Sequence, residues 1–543
     1  MKYTLVNPSK PKSFSHSNVF TIKVKCKIDD CLNLTFGTLD KCALHCEKGS
    51  YRTDWYNSLL SEFTSLLNNY ILNYFIDDYY NYKSTTQNAQ LAYELKVFLS
   101  NSRNLYESAV IETYFRDTVI VFSGIKFPTR DSRDAFDYFK TLKMFKGIYL
   151  TNCSFYLGDW NIENIEFFFE DCCFEKEFSI TSLKVLDDLT NSLFSECIFK
   201  EKAIIVPNET NSCIENILFS GCNFKNELVI CDLIFKEKLF NDEDGSPSKF
   251  SNLTILSSIF EKNIELNALK INELCVEDTE FQSKFEIKET TVKALSFKNS
   301  NVEKVFDAFE SKFEKLYFYQ STFKDFSGFE KVEFGLEGKN IEAYQAKFID
   351  TNFMSFSNFR NTKFLSGLDF STVNLKQEPN FLKTYVHPKG TDRETFRIIK
   401  NSFEKSNNKI EAGNYHTREM NAYIKELNFH DNFWQLIVLH ANNLISRFGQ
   451  SYIIPFLLLV GCIALYSYLL NSYQEILQFR NYEMQYGIEE ITEWLNTGAR
   501  NFLPFARFIS DKRGFEFVSL IFYIAFAILT WQTIVAVKKQ TQH

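Results

Sequence analysis

From Ala346 to Gln377 the chain reads AKFID, TNFMS, F, SNFRN, TKFLS, G, LDFST, VNLKQ, six five-residue units interrupted once by Phe356 and once by Gly367. Each unit has Phe or Leu at its third place and a small or aliphatic residue two places earlier. A period of five is neither the 3.6 of a helix nor the 2.0 of a strand. It fits a coil that changes direction once per unit. One such coil cannot bury its inward side, so coils must stack, and the Phe and small positions then form columns.

The same small–x–Phe mark recurs upstream, at Cys153/Phe155, Cys172/Phe174, Cys197/Phe199, Cys222/Phe224, Ser258/Phe260, Thr279/Phe281, Ser300/Val302 and Ser321/Phe323. From Phe155 to Phe348 the marked positions are 19, 25, 25, 36, 21, 21, 21 and 25 residues apart. The interval of 36 contains KEKLFNDEDGSPSK, Lys236 to Lys249, read as a loop off the stack. The alternative is a generic β-rich domain whose Phe spacing arises by chance. The units resemble the pentapeptide-repeat family, whose small and Leu/Phe positions both point into a square right-handed parallel β-helix. The resemblance is unit by unit over Ala346–Gln377 and looser from Tyr149 onward.

Further along, Tyr452–Leu470 and Phe517–Val537 are 19 and 21 residues without a charge. As helices they reach about 28 and 31 Å, the thickness of a hydrocarbon core. Arg447 precedes the first, and Lys538 and Lys539 follow the second, so both flanks read as cytoplasmic. The alternative is one span and one buried core helix. Asn428–Gln450, with Phe433, Trp434, Ile437, Val438, Leu444 and Ile445, reads as an interfacial helix or as an ordinary packed amphipathic one. In the second span Ser519, Tyr523, Thr530, Thr533 and Val537 make one stripe at helical spacing. It faces a water-filled passage or serves interhelical hydrogen bonding.

Between repeats and spans, Pro379 and Pro388 end the coil, and Thr391-Asp-Arg-Glu394 is a capping box. One helix then carries Phe396, Ile399 and Phe403. After Asn407-Asn408 a second carries Met420, Tyr423, Ile424 and Leu427. This hairpin, and the ending LTWQTIVAVKK, resemble the segments that join pentapeptide-type solenoids to channel-like two-span modules in bacterial membrane proteins. The N-terminal part reads as an α+β cap, with helices over Tyr51–Tyr82 and Asn88–Arg116. Phe20–Ile28 alternates as a strand, with Ile22, Val24, Cys26 and Ile28 on its buried face and Lys23, Lys25 and Lys27 on the other. The lysine row fits an anionic ligand, or an edge strand guarded against aggregation.

The fold class is therefore mixed: an α+β cap (1–148), a right-handed parallel β-helix of degenerate pentapeptide repeats (149–378), a helical linker and juxtamembrane helix (391–450), and a two-transmembrane-helix module (451–537).

Composition narrows the function. A net charge of −8 argues against a nucleic-acid binder as a whole, although Met1–Ser50 carries eight Lys against four acids. The 13 Cys are odd in number and scattered, as in a reducing cytosol. Phe 58 and Tyr 27 fit an AT-rich genome, but the Phe positions are not random. No HExxH, nucleotide loop or catalytic constellation is present, so no enzyme activity, catalytic residue or cofactor is expected. Cys26, Cys31, Cys42, His45 and Cys46 could be assembled into a zinc site. Their spacings match no standard pattern and Cys26 falls on the apolar strand face, so they are read as buried thiols with no metal.

Two spans cannot enclose a conduit, so a pore needs several copies. The layout resembles the Hailong-type effectors of anti-phage defence. That resemblance implies a homotetrameric ion channel in the bacterial inner membrane with both termini cytoplasmic. It also implies control by a single-stranded DNA oligomer or nucleotide made by a partner enzyme. The rival readings are a membrane-tethered scaffold that binds a protein without conducting, and an acidic β-helix that mimics DNA.

Overall fold

The computed structural model describes residues 24–29, 31–48, 53–81, 116, 118–129, 137–158, 160, 165–181, 192–207, 212–241, 247–338, 340–479, 492, 495–496 and 514–541. They fall into two compact units, within Met1–Phe334 plus Asp350–Ser357 and within Gly335–Ile349 plus Asn358–His543. The expected helix over Asn88–Arg116 and Lys23 of the lysine row lie outside the described residues, Arg116 excepted.

A parallel β-solenoid of about ten turns forms the body of the chain. In the first unit its stacking register is direct: Phe155 pairs with Phe174, Phe174 with Phe199, and Phe199 with Phe224. The small residue and the Phe of each mark are both buried from Cys153 to Phe323, as the sequence predicts. The first strand, Val119–Ser123, lies ahead of Tyr149 and pairs with Gly147–Thr151.

Neighbouring strands are about 4.8 Å apart, which places the column's rings almost face to face. Phe155–Phe174, Phe174–Phe199 and Phe199–Phe224 have centroids 4.8, 4.5 and 4.6 Å apart at 17°, 2° and 8°. Each such ring contributes about 1.5–3 kcal/mol by leaving water.

The interval of 36 includes a change of column, and residues 242–246 of the expected loop lie outside the described residues. Phe224 pairs with Phe250, while Phe260 continues a second column above Phe235. That column runs on through Phe281, Val302, Phe323 and Phe353. Within the supposed loop Leu239 and Phe240 are buried, and Phe240–Asn241 is a strand against Phe219–Ser220. The upstream units look degenerate because each later turn merges two of them into one eight-residue strand, such as Lys270–Glu277 above Lys249–Leu256.

Two corners per turn use left-handed backbone. One set includes Asn152, Asp171, Glu196, Ala268, Glu289 and Glu310, the other Asp232, Ser257, Asp278, Asn299 and Gln320. The next residue is the small one of the mark, or its equivalent in the other column. In the later turns its hydroxyl accepts the buried corner N–H of the turn before. Thr279 N donates to Ser300 Oγ at 3.0 Å and Ser300 N to Ser321 Oγ at 3.3 Å. In the other column Leu269 N donates to Thr290 Oγ1 at 3.1 Å and Thr290 N to Ser311 Oγ at 3.0 Å. In the first turns the position is cysteine, whose thiol donates weakly to a carbonyl of the turn below, as Cys197 does to Phe169 O at 3.4 Å.

The cap follows the predicted helix and departs from the predicted strand. Helix α1 (Thr53–Asn81) buries Leu59, Phe63, Leu67 and Ile71 at i, i+4, i+8, i+12. Its Phe63 ring meets Phe127 and Tyr138 edge-on at 5.9 and 5.4 Å. Over residues 24–28 there is only one bridge, Lys25 to Leu34, and Val24 and Ile28 are exposed where burial was expected. The chain reverses after Cys26 to bring Cys31 back, which ends the alternation.

In the second unit each five-residue unit yields one short strand, including Ala346–Ile349, Lys363–Phe364, Leu368–Asp369 and Asn374–Leu375. Gly367, the odd residue between units, sits at φ +91°, where a Cβ would strike the Gly390 carbonyl. Among the described residues the remaining helices, short α2 (Phe139–Leu142) and α3 (Ile341–Tyr344) apart, are α4 (Arg393–Lys405), α5 (Lys409–Glu426), α6 (Phe433–Ser446), α7 (Ile453–Phe479) and α8 (Glu516–Thr541).

Ser300→Ala removes the hydroxyl that accepts the Thr279 N–H. The full chain in detergent should lose about 1–3 kcal/mol of stability, read as an earlier urea midpoint of the β-sheet circular dichroism signal. An unchanged midpoint would show that the hydroxyl column does not join the turns.

Candidate functional site

The second unit leads from the last solenoid turns into the apolar helices, and hydrogen bonds mark the whole path. Leu368 N and Phe370 N donate to Thr391 Oγ1 at 3.0 Å and Thr395 Oγ1 at 2.8 Å. The first turn of α4 thus takes the place of a further coil. This corrects the capping box: Asp392, not Thr391, caps α4, accepting from Thr395 N at 2.9 Å, because Thr391 is engaged with the coil. Phe396, Ile399 and Phe403 are buried as predicted. On α5 the buried face is Ala412, Tyr415 and Glu419, whereas the predicted Met420, Tyr423, Ile424 and Leu427 are half-buried. Tyr415 Oη donates to Thr384 O at 3.1 Å and Arg418 Nη1 to Val386 O at 3.0 Å, so α5 too is fastened to the coil.

From α5 the path continues to the second apolar helix. Thr417 Oγ1 donates to Arg447 O at 3.2 Å and Asn443 Nδ2 to Asn421 Oδ1 at 3.0 Å. Arg447, Phe448 and Gly449 are all left-handed and turn the chain sharply between α6 and α7. Ser446 Oγ then donates to Gln532 Oε1 at 3.1 Å, and Lys539 Nζ to Phe448 O at 3.2 Å. The C-terminal end of α8 is therefore held by the end of α6 and the turn after it, which are bonded to α5 and through it to the coil.

Two helices are long and apolar enough to cross a membrane, over Ile453–Tyr473 and Glu516–Lys539. Only 11% and 17% of their most apolar stretches are buried within the chain, unlike a core helix. The first continues as helix to Phe479, nine residues past the predicted end. On α6, Phe433, Trp434, Ile437, Val438 and Leu444 are exposed, the face an interfacial helix presents to lipid headgroups.

The structure divides the predicted stripe of α8. Ser519 is fully buried and accepts the Tyr466 hydroxyl at 3.0 Å, and Tyr523 lies 5.8 Å from the same ring. These two residues make contacts with α7. Thr530 and Val537 are exposed, and half-buried Thr533 donates back to Leu529 O. Of the lysine row, Lys27 pairs with Asp40 at 3.2 Å, and Lys25 forms an isolated bridge with Leu34 in place of the expected strand.

Where α5 meets the end of α8 there is a cavity of about 570 Å³, lined by Lys400, Glu404, Lys409, His416, Gln450 and Lys539 among others. Sequence reasoning passed over these residues, because nothing in NNKIEAGNYHTRE marks them until the helices converge. Lys400 bonds Glu419 at 3.0 Å, and Glu419 also lies 3.7 Å from His416 Nδ1. Burial first, then the Lys539 ammonium, holds His416 below the ordinary imidazole range. The lining is net positive and suited to an anion.

The sulfurs of Cys26, Cys31 and Cys42 converge on the ring of His45. Their ligand atoms all lie within 4.8 Å of one another, while Cys46 turns away to the Lys48 ammonium.

Because the folded His416 titrates below its unfolded value of 6.5, the unfolded chain holds the extra proton between the two. Stability contributed by the neutral ring is present above pH 6.5 and falls as the pH drops through that window. His416→Gln should flatten the low-pH decline of the melting temperature relative to wild type; parallel profiles would contradict this. No family model, no curated protein and no solved structure matches the chain.

Proposed function

We propose that this chain is the subunit of an oligomeric ion channel in the bacterial inner membrane, with the β-solenoid as its cytoplasmic sensing part and the apolar helix pair as its conduit. The observation that carries the reading is the bonded path from Leu368 and Phe370 through Thr391, Thr395 and α5 to Gln532 and Lys539. A ligand that favours one arrangement of the solenoid or hairpin would, through that path, favour one position of the α8 end. Scaffold duty alone gives no reason for the stalk to grip that end so closely.

The apolar helices leave most of their surface uncovered within one chain, which suits lipid on one side and other copies on the other. Around an axis, Thr530, Thr533 and Val537 are the stripe residues left over for a passage. The basic Arg447, Lys538 and Lys539 favour cytoplasmic termini. A tetramer governed by an oligonucleotide in anti-phage defence is the specific form that the architecture's resemblance supports.

The test is planar-bilayer recording of the detergent-purified full chain, with and without short single-stranded DNA. Thr530→Leu puts an apolar group where a passage needs polar lining, so conductance should fall several-fold while oligomer size is kept. Ile521→Leu, on the opposite side of α8, should leave it unchanged. Equal currents from wild type and Thr530→Leu would remove this stripe from the passage. No current from any form, with any oligonucleotide, would favour the tethered scaffold.

A further inference from the structure

The segment 24–48 has one isolated β-bridge and, among its described residues, no helix or strand, yet it is tightly organised. Cys26 N donates to Asn33 O at 2.9 Å and Thr35 N to Val24 O at 2.7 Å, closing a hairpin loop that carries Cys26 and Cys31. A second turn, with His45 N and Cys46 N both donating to Cys42 O at 3.1 and 2.9 Å, carries Cys42 and His45. So short a piece has too little apolar surface to hold such loops by burial alone.

We propose that Cys26, Cys31, Cys42 and His45 bind one structural Zn²⁺ ion. Three of the six ligand–ligand distances match the edges of a tetrahedral site, and all six are within 4.8 Å. With arms of about 2.3 Å to sulfur and 2.0–2.1 Å to nitrogen, the edges of the tetrahedron are roughly 3.8 Å between sulfurs and 3.6 Å between sulfur and nitrogen. In the chain Cys31 Sγ–Cys42 Sγ is 3.8 Å, Cys26 Sγ–His45 Nδ1 is 3.6 Å and Cys42 Sγ–His45 Nδ1 is 3.3 Å. A disulfide would bring two sulfurs to about 2.05 Å, and all 13 cysteines are free.

Two further features fit. Cys42 N lies 3.4 Å from Cys26 Sγ, an N–H directed at a sulfur that would be a thiolate. Such outer hydrogen bonds orient metal ligands. Three thiolates and a neutral imidazole around Zn²⁺ leave a net charge of −1, and Lys48, buried on the Cys42 turn with its ammonium on Ala43 O at 2.6 Å, supplies a neighbouring positive charge. Cys26 and Cys42 are buried and all four ligands come from protein, so no position is open for a substrate, and the role is structural.

The site has a place in the fold. Leu44, between two ligands, accepts from Lys126 N at 2.8 Å, and Glu47 bonds Lys126 and Tyr156. The metal would fasten the cap onto the first turns of the solenoid.

The test is elemental analysis of the full-length protein purified in detergent without chelator and supplied with Zn²⁺. About one zinc per chain is expected, and Co²⁺ loading should give thiolate charge-transfer bands and tetrahedral d–d bands. Cys42→Ser should lose the zinc and lower the melting temperature. Cys46→Ser should keep both, and Cys31→His, which retains a ligand, should keep the zinc. Absence of zinc after reconstitution, octahedral cobalt bands, or full zinc in Cys42→Ser would each overturn the site. If Cys42→Ser fails to fold, loss of zinc from folded Cys31→Ser and its return in Cys31→His decide the matter.

Discussion

In the later solenoid turns a backbone N–H at the corner is buried, and at Leu269, Thr279, Thr290 and Ser300 the hydroxyl that receives it belongs to the next turn. A buried donor without an acceptor costs about 1–3 kcal/mol, so this one requirement fixes a small hydroxylated residue at the corner and the left-handed residue before it. It also sets the distance to the next corner. Ser258, Ser300 and Ser321 meet it in one column, and Thr290 and Ser311 in the other. The stack cannot simply end, because the last coil would leave its corners open. Thr391 and Thr395 close them, and that is how a helical hairpin comes to be joined to a β-solenoid.

The legibility of the sequence follows from how local each constraint is. Phe or Leu at the third place of each five-residue unit over Ala346–Gln377 is a local pattern, and the inward register read from it holds through Phe370, while Val373 and Leu375 of the last unit are half-buried. The switch from the Phe224 column to the Phe235 column is invisible locally, because both satisfy the same small–x–Phe rule and only strand pairing tells them apart. The apolar spans are legible for the same reason that lipid accepts them: length and absence of charge. Their partners are not, and Ser519, which looks like part of an uninterrupted stripe, proves to face Tyr466.

The cap shows the opposite case. Val24, Cys26 and Ile28 alternate as a strand would, but Cys26 alone is buried. The proposed zinc site, which needs three sulfurs and an imidazole to converge, would outweigh strand propensity and account for the bend after it. Ligand spacings of x₄, x₁₀ and x₂ look irregular in one dimension and become regular only when two loops face each other.

Taken from one end to the other, the chain has a fastened cap, a hydrogen-bonded stack, and a stalk bonded to an apolar helix whose outer surface is uncovered. On the proposed channel reading that surface meets lipid and other copies, and the two described spans need several chains to form a passage. The most direct measurement is native mass spectrometry of the full chain released from lipid nanodiscs. A closed assembly of four copies is the expected result. A single chain or a pair would contradict the channel.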